Sequence, residues 1–269
     1  MGLMDGKTVL ATGATSGIGR AAARRMKEEG ATVVALARDR TRASSQGFEA
    51  IECDLTSQAS IRKAAANFLR EHSKLDVLLL SAGVFLKDRS ETVDGIEKTF
   101  AVNYLSHFLL ANLVKDALVR GAPSRVIFVS SKYGGAKIDF DDLMLKKAKF
   151  SVMSSIPRTK LAEVLLMQEL AEKWGPLGIK VNAIHPGLVA QTQLLVEVGG
   201  IWKFLTNFLG GTPEKGADTA VWLASTPEGG AMNGKLLEKR KPIPTPGQGS
   251  DPAARKRLWD ESVKLAKLT

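Results

Sequence analysis

The chain has 269 residues, 44% of them apolar and 25% charged, a balance that allows a sizeable buried core and excludes a disordered or low-complexity chain. Its net charge of +10 brings nucleic acid forward first, but the Lys and Arg residues are scattered and aromatics are few, so no nucleic-acid partner is expected. No apolar run reaches the roughly 18 residues of a membrane span, and Met1 to Lys7 lacks the apolar stretch of a secretory signal, so a cytoplasmic protein with no membrane partner is expected.

Thr8 to Ala11 reads as a short strand, followed by a glycine-rich turn. Ile18 to Glu29 reads as a helix, with Gly30 as its stop. Thr32 to Ala37 is β-branched and reads as a buried strand, and Ala50 to Cys53 as a third. Ser57 caps a helix to about Glu71, and Val77 to Leu80 is a continuous apolar strand. A long helix is expected from about Ile96 to Val119, then a fifth strand at Arg125 to Val129. Leu161 to Trp174 is an apolar-striped helix and Ile179 to Ile184 a sixth strand. Thr212 caps a helix to about Ala224, Lys241 to Pro252 reads as a surface loop, and Pro252 to Lys267 as a final helix.

Strands that alternate with helices imply parallel pairing through right-handed crossovers. The expected class is therefore α/β: a single Rossmann-type doubly wound parallel sheet flanked by helices, as one domain over residues 1–269, with ligands at the carboxyl ends of its strands. One cysteine, Cys53, excludes an intrachain disulfide and suits a reducing compartment. His72, His107 and His185 fall on separate elements without ligand-like spacing, so no metal site is expected.

Thr12-Gly13-Ala14-Thr15-Ser16-Gly17-Ile18-Gly19 stands between the first strand and the first helix. Its glycines permit a tight turn and let the backbone approach a phosphate, while the helix N-terminus supplies free N–H groups and partial positive charge. The competing reading is a merely tight βα turn. The spacing Gly13-x-x-x-Gly17-x-Gly19 differs from G-x-G-x-x-G and resembles that of the short-chain dehydrogenase/reductase family. Further residues carry the resemblance in order: Asp54-Leu55, Ser81-Ala82-Gly83 in place of Asn-Ala-Gly, Asn103, Ser130-Ser131, Lys160, and His185-Pro186-Gly187 with Val189 and Thr192. It runs from about Lys7 to Leu268 and is nearest the retinol-dehydrogenase-like NADP-type reductases, through Phe100 to Phe108, Phe140 to Leu143 and Arg257 to Ser262.

The resemblance implies cofactor contacts from Gly13, Thr15, Ser16, Gly17, Ile18, Gly19, Asp54, Leu55, Ser81, Ala82, Gly83, Lys160, Pro186, Gly187, Val189 and Thr192. The choice of cofactor has a physical argument of its own. The second strand ends Leu36-Ala37-Arg38-Asp39-Arg40, and the planar donor fork of Arg38 suits a ribose 2′-phosphate. Asp39 offers the opposite reading, a carboxylate on the ribose hydroxyls; NADP(H) is expected over NAD(H).

In the family a serine, a tyrosine, a lysine and an asparagine act together, the tyrosine exchanging a proton with substrate. Ser131, Lys160 and Asn103 match three of these roles, with Lys160 expected to open its helix. The tyrosine's place, four residues before Lys160, holds Ile156, followed by Pro157. An alkyl side chain neither donates nor accepts a proton. Tyr133-Gly-Gly-Ala-Lys137 meets the Tyr-x-x-x-Lys spacing elsewhere, in a glycine-containing loop, which leaves Tyr133 as a substitute acid or a packing residue. His185, Ser154 and Ser155 are weaker candidates.

Leu194 to Leu209 has amphipathic helical spacing with Ile201, Trp202, Phe204, Leu205 and Phe208. It resembles the family's substrate lid, about 194–210, and implies an apolar small-molecule substrate; a core or dimer-contact helix is the alternative. The family is commonly dimeric or tetrameric and this subgroup includes monomers, so a homodimer stays open. The expected activity is NADP(H)-dependent oxidoreduction of atypical mechanism, on a carbonyl, imine or activated alkene. Two alternatives remain: a non-redox cyclase, isomerase or dehydratase on this fold, and a catalytically silent cofactor-binding scaffold.

Overall fold

A computed structural model describes residues 2–187, 211–245 and 247–268. One sheet of eight strands runs through it: β1 Thr8–Thr12, β2 Thr32–Ala37, β3 Glu49–Glu52, β4 Val77–Leu80, β5 Ser124–Val129, β6 Ile179–Ile184, β7 Leu236–Glu238 and β8 Lys241–Ile243. Their spatial order is β3-β2-β1-β4-β5-β6-β7-β8. All pairs are parallel except β7 with the edge strand β8. The sheet is doubly wound α/β as expected, with an antiparallel edge strand inside the segment Lys241 to Pro252, which reads as loop in the sequence.

Both faces of the sheet are covered, which is why the central strands β2 and β4 are near-continuous apolar runs rather than alternating. Within β4, Leu78 and Leu80 pack into one core with Phe68, Phe108 and Leu165. Val77 and Leu79 point to the opposite face and pack with Ala22, Met26 and Ala220, as the two-residue period of a strand requires. The first core is roofed by α3 Gln58–Glu71, α4 Ser106–Leu113, α5 Lys115–Arg120, α6 Val152–Trp174 and α8 Pro252–Leu265. The second is roofed by α1 Gly17–Glu28 and α7 Pro213–Ser225. The short α2, Arg40–Ser44, links β2 to β3.

Register places the reactive ends together. Thr12 of β1 pairs with Leu80 of β4, Leu80 with Phe128 of β5, and Val129 with Ile184 of β6. The segments that follow these residues thus leave the sheet side by side, at the reversal of strand order where such folds bind ligands.

Two helices differ from expectation. The one long helix over Ile96 to Val119 is in fact a helical turn Lys98–Phe100, a π-helical turn Ala101–Leu105, then α4 and α5. Asn103 lies in the π turn, and its side chain is anchored to the backbone of Val84; tertiary anchoring overrides the uniform period there. At Val114, φ −102° and ψ 10° interrupt the helix again. The helix expected from Leu161 begins at Val152, so Lys160 lies well inside it. Ser151 starts it with a reciprocal cap: Ser154 N donates to Ser151 Oγ at 3.1 Å and Ser151 N donates to Ser154 Oγ at 2.9 Å. Pro157 costs one backbone hydrogen bond, to the turn of the exposed Met153, where water can substitute at the surface.

Candidate active site

The turn after β1 is shaped for a phosphate. Gly13 and Gly17 have φ of 69° and 53°, values that side chains resist. A Cβ on Gly13 would lie 2.8 Å from the backbone nitrogen of Ala82, and one on Gly19 would lie 2.8 Å from Ser81 Oγ. The Ser16 side chain makes no capping bond to α1, and no acidic residue stands in the first turn. The N–H groups at this helix end are left for an anion. Thr15, Ser16, Gly17 and Ile18 all keep part of their surface exposed, so the cradle fits a dinucleotide pyrophosphate.

Thr12 supports this turn from below. It is fully buried, and its hydroxyl oxygen accepts from Ser81 N at 3.1 Å and Ala82 N at 3.2 Å. The Ser81-Ala82-Gly83 segment therefore hangs from β1. On its far side, Asn103 Oδ1 accepts from Val84 N at 2.7 Å and Nδ2 donates to Val84 O at 3.0 Å. Asn103 thus holds the same loop from the helix side.

At the end of β2, Arg38 is exposed and makes no ion pair among the described residues. Asp39 is occupied: its carboxylate caps α2, accepting from Arg42 N at 3.0 Å. Asp54 accepts from Thr56 N at 2.9 Å in the turn after β3, and Leu55 rests on the core. Cys53, one residue before, is buried, and desolvation pushes its thiol up to about 12. The thiol is therefore an inert packing group.

The reaction end is built by β5, α6 and β6. Ser131 is half-buried just beyond β5, its hydroxyl 3.4 Å from Lys132 O. Lys160 is buried, and its Nζ donates to Val129 O at 3.0 Å and to Glu163 Oε2 at 2.9 Å. Ile156 lies one helical turn before Lys160 on the continuous helix α6 and is 8% exposed. The two residues therefore share a face. Ser154 and Ser155 are engaged in the helix start, Ser155 Oγ donating to Ser151 O at 2.8 Å.

Tyr133 and Lys137 lie on a non-helical stretch, with Tyr133 buried and Lys137 exposed. They are not one face of a helix. The Tyr133 hydroxyl fills the space a Cβ on Gly249 would need, beside Leu161, and burial raises its pKa above the ordinary phenol value. His185 Nδ1 accepts from Lys132 N at 3.3 Å, tying the β5 loop to the β6 loop. Burial depresses its pKa. Pro186 and Gly187 follow it, with Gly187 at φ 76°; Val189, Thr192 and the lid at 194–210 lie outside the described residues.

Two further residues belong to this neighbourhood: Glu163, which the sequence did not single out, and His107, which it gave no role beyond the absence of metal-ligand spacing. Both are fully buried, with His107 Nδ1 3.5 Å from Glu163 Oε1. The signal for Glu163 was present: a carboxylate inside the apolar run Leu161 to Met167 requires a buried partner. Among the described residues no cluster of three or more His, Cys, Asp or Glu side chains is placed to hold a metal, and no helix is long and apolar enough to cross a membrane.

This strand order, phosphate cradle and set of polar groups at adjoining strand ends define a dinucleotide-binding α/β protein. The chain belongs to the short chain dehydrogenase family, whose model matches residues 7–199; its members are oxidoreductases that use NAD(P). It is 37% identical over 298 residues to human retinol dehydrogenase 14, covering 99% of this chain and 88% of that protein. Among solved structures, an uncharacterized protein from Mycobacterium paratuberculosis superposes with a TM-score of 0.80 at 27% identity, covering 98% of this chain and 94% of that one. The Pseudomonas aeruginosa RhlG/NADP active-site complex gives a TM-score of 0.72 at 27% identity, over 88% of this chain and 95% of that one.

Proposed function

We propose that this chain is an NADP(H)-dependent oxidoreductase that acts without a tyrosine acid, on a carbonyl, imine or activated alkene of an apolar small molecule. The observation that carries this reading is Ile156, in register with Lys160 within an otherwise complete constellation. When bound, the dinucleotide supplies or accepts the hydride. The chain's residues bind and orient. The cradle at Gly13–Gly19 takes the pyrophosphate, Lys160 holds the nicotinamide ribose, and the Ser131 hydroxyl donates to the substrate's polar atom. Asn103 keeps the intervening loop in place through Val84.

Loss of a positioned acid removes about 10²–10⁴ in rate when a proton must be delivered. A substrate that needs no such proton escapes the penalty. An iminium carbon already carries positive charge, and an activated alkene passes its charge to a remote group. The name of the retinol dehydrogenase relative supports an apolar substrate, and the buried, inert Cys53 agrees with a reducing cytoplasm. Transfer of deuterium from 4-deuterated NADPH into the product tests the reading. A label retained stereospecifically supports it, and turnover of any substrate without label transfer leaves a non-redox enzyme.

Cofactor preference has its own expected result. With Asp39 committed to its cap and Arg38 without an ion pair among the described residues, Arg38→Ala should weaken NADPH binding about 10- to 100-fold, the range of a charge-assisted hydrogen bond. NADH binding should stay within about twofold. Calorimetric titration reads both, and equal losses for the two cofactors would remove the 2′-phosphate assignment.

A further inference from the structure

A line of buried polar groups joins the cofactor turn to the site lysine. Thr12 Oγ1 already accepts two backbone N–H groups, from Ser81 and Ala82, and a hydroxyl oxygen has two acceptor positions. Its own proton must therefore go to its remaining neighbour, His107 Nε2, at 3.3 Å. That makes Nε2 an acceptor and places the ring proton on Nδ1, which faces Glu163 Oε1 at 3.5 Å. Desolvation depresses the pKa of His107, so the ring is the neutral one of this tautomer. Neither Nδ1 nor Oε1 has a closer partner among the described residues. The other carboxylate oxygen, Oε2, accepts from Lys160 Nζ at 2.9 Å. Glu163 is 0% exposed, and the only cation its carboxylate meets among the described residues is Lys160.

Lys160 commits two of its three N–H groups, to Val129 O and to Glu163. The third remains for a ligand, and the side chain keeps 11% of its surface open. We propose that Glu163 is the counter-ion and positioning residue of Lys160, and that by cancelling the ammonium charge beside the nicotinamide it sets the balance between oxidised and reduced cofactor. The inference rests on the preceding reading, that Lys160 holds the nicotinamide ribose. NADP⁺ differs from NADPH by one positive charge on the nicotinamide ring, the phosphates being common to both. An uncompensated ammonium therefore repels the oxidised form selectively, whereas general damage to the fold weakens both forms alike.

The test is the ratio of dissociation constants for NADP⁺ and NADPH, measured by calorimetry and by quenching of protein fluorescence. Glu163→Gln should raise the ratio about tenfold or more: at an effective dielectric of about 20, a unit charge about 12 Å away contributes a factor of ten and a nearer one more. Lys160→Met removes the ammonium, and the buried carboxylate, left without its cation, takes up a proton, so the ratio should stay within about twofold of wild type. The double variant, with both charges removed, should return within about twofold of wild type. Where Glu163→Gln fails to fold, because one charge of a buried pair is left alone, Glu163→Asp takes its place: it keeps the carboxylate but draws it back from Lys160 Nζ, and it should raise the ratio in the same direction by less. A ratio unchanged in every variant, with wild type binding both forms, overturns the role of Glu163 and leaves the proposed activity standing. Absence of binding of either form to wild type overturns both.

Discussion

Ile156→Tyr is expected to give the protein reduction of a simple ketone with NADPH, by about 10²–10⁴-fold over wild type, the usual contribution of a positioned acid. The geometry favours the gain. Helix α6 runs without interruption from Val152, so residues 156 and 160 lie one turn apart on one face. A phenol introduced there stands within reach of the Lys160 ammonium, which lowers its pKa from an ordinary value near ~10. Ile156 retains 8% exposure, so the larger ring has an outlet from the core. The measurement is NADPH consumption with an aryl ketone, followed at 340 nm, with chirality of the alcohol as second readout. Adding Lys160→Met to the tyrosine variant should remove most of the gain. If the tyrosine variant binds NADPH as wild type does and still leaves ketones untouched, the substrate pocket departs from the ketoreductase pattern beyond this one residue.

The second large effect is on stability. Thr12→Val keeps shape and volume nearly constant, yet it should lower unfolding free energy by about 2–5 kcal/mol. The hydroxyl serves three partners in a site of zero exposure: the N–H groups of Ser81 and Ala82 and Nε2 of His107. Valine leaves all three unmet, and a buried donor or acceptor without a partner costs about 1–3 kcal/mol. The losses overlap because the three groups share one oxygen, so the total falls below their sum. Urea unfolding followed by tryptophan fluorescence reads the change, and Thr12→Ser should recover most of it. A Thr12→Val protein within about 0.5 kcal/mol of wild type, inside the range of neutral changes, would show that water or a backbone shift replaces the hydroxyl.

Much of the framework was legible because its signals are local. The strands Thr32–Ala37, Val77–Leu80 and Ile179–Ile184 have the limits expected from their apolar runs. Ser57, Thr212 and their helices follow from N-cap chemistry, each side chain accepting from a backbone N–H three residues on. Where sequence reading failed, distant parts of the chain intervened. The apolar stripe marks the helix only from Leu161, whereas α6 starts nine residues earlier, at Val152, where the Ser151/Ser154 cap sets its first turn. The edge strand Lys241–Ile243 reads as loop in the sequence because three residues rich in charge and proline carry no period of their own. It exists because β7 offers it backbone partners. The segmented helix around Asn103 exists because a loop after β4 holds that side chain.

By itself, the sequence determined the α/β class, the glycine turn at the end of the first strand, the Asn103, Ser131 and Lys160 positions, and the absence of a phenol at position 156. Each of these is written in neighbouring residues, as a period, a cap or a spacing. Only the tertiary structure decided what surrounds them. It committed Asp39 to a helix cap and left Arg38 without an ion pair among the described residues. It set Glu163 against Lys160, and brought His107 to Thr12 across 95 positions of the chain. Burial makes such pairings binding, because a polar group removed from water must find a partner wherever the fold supplies one, and no local pattern states where that will be.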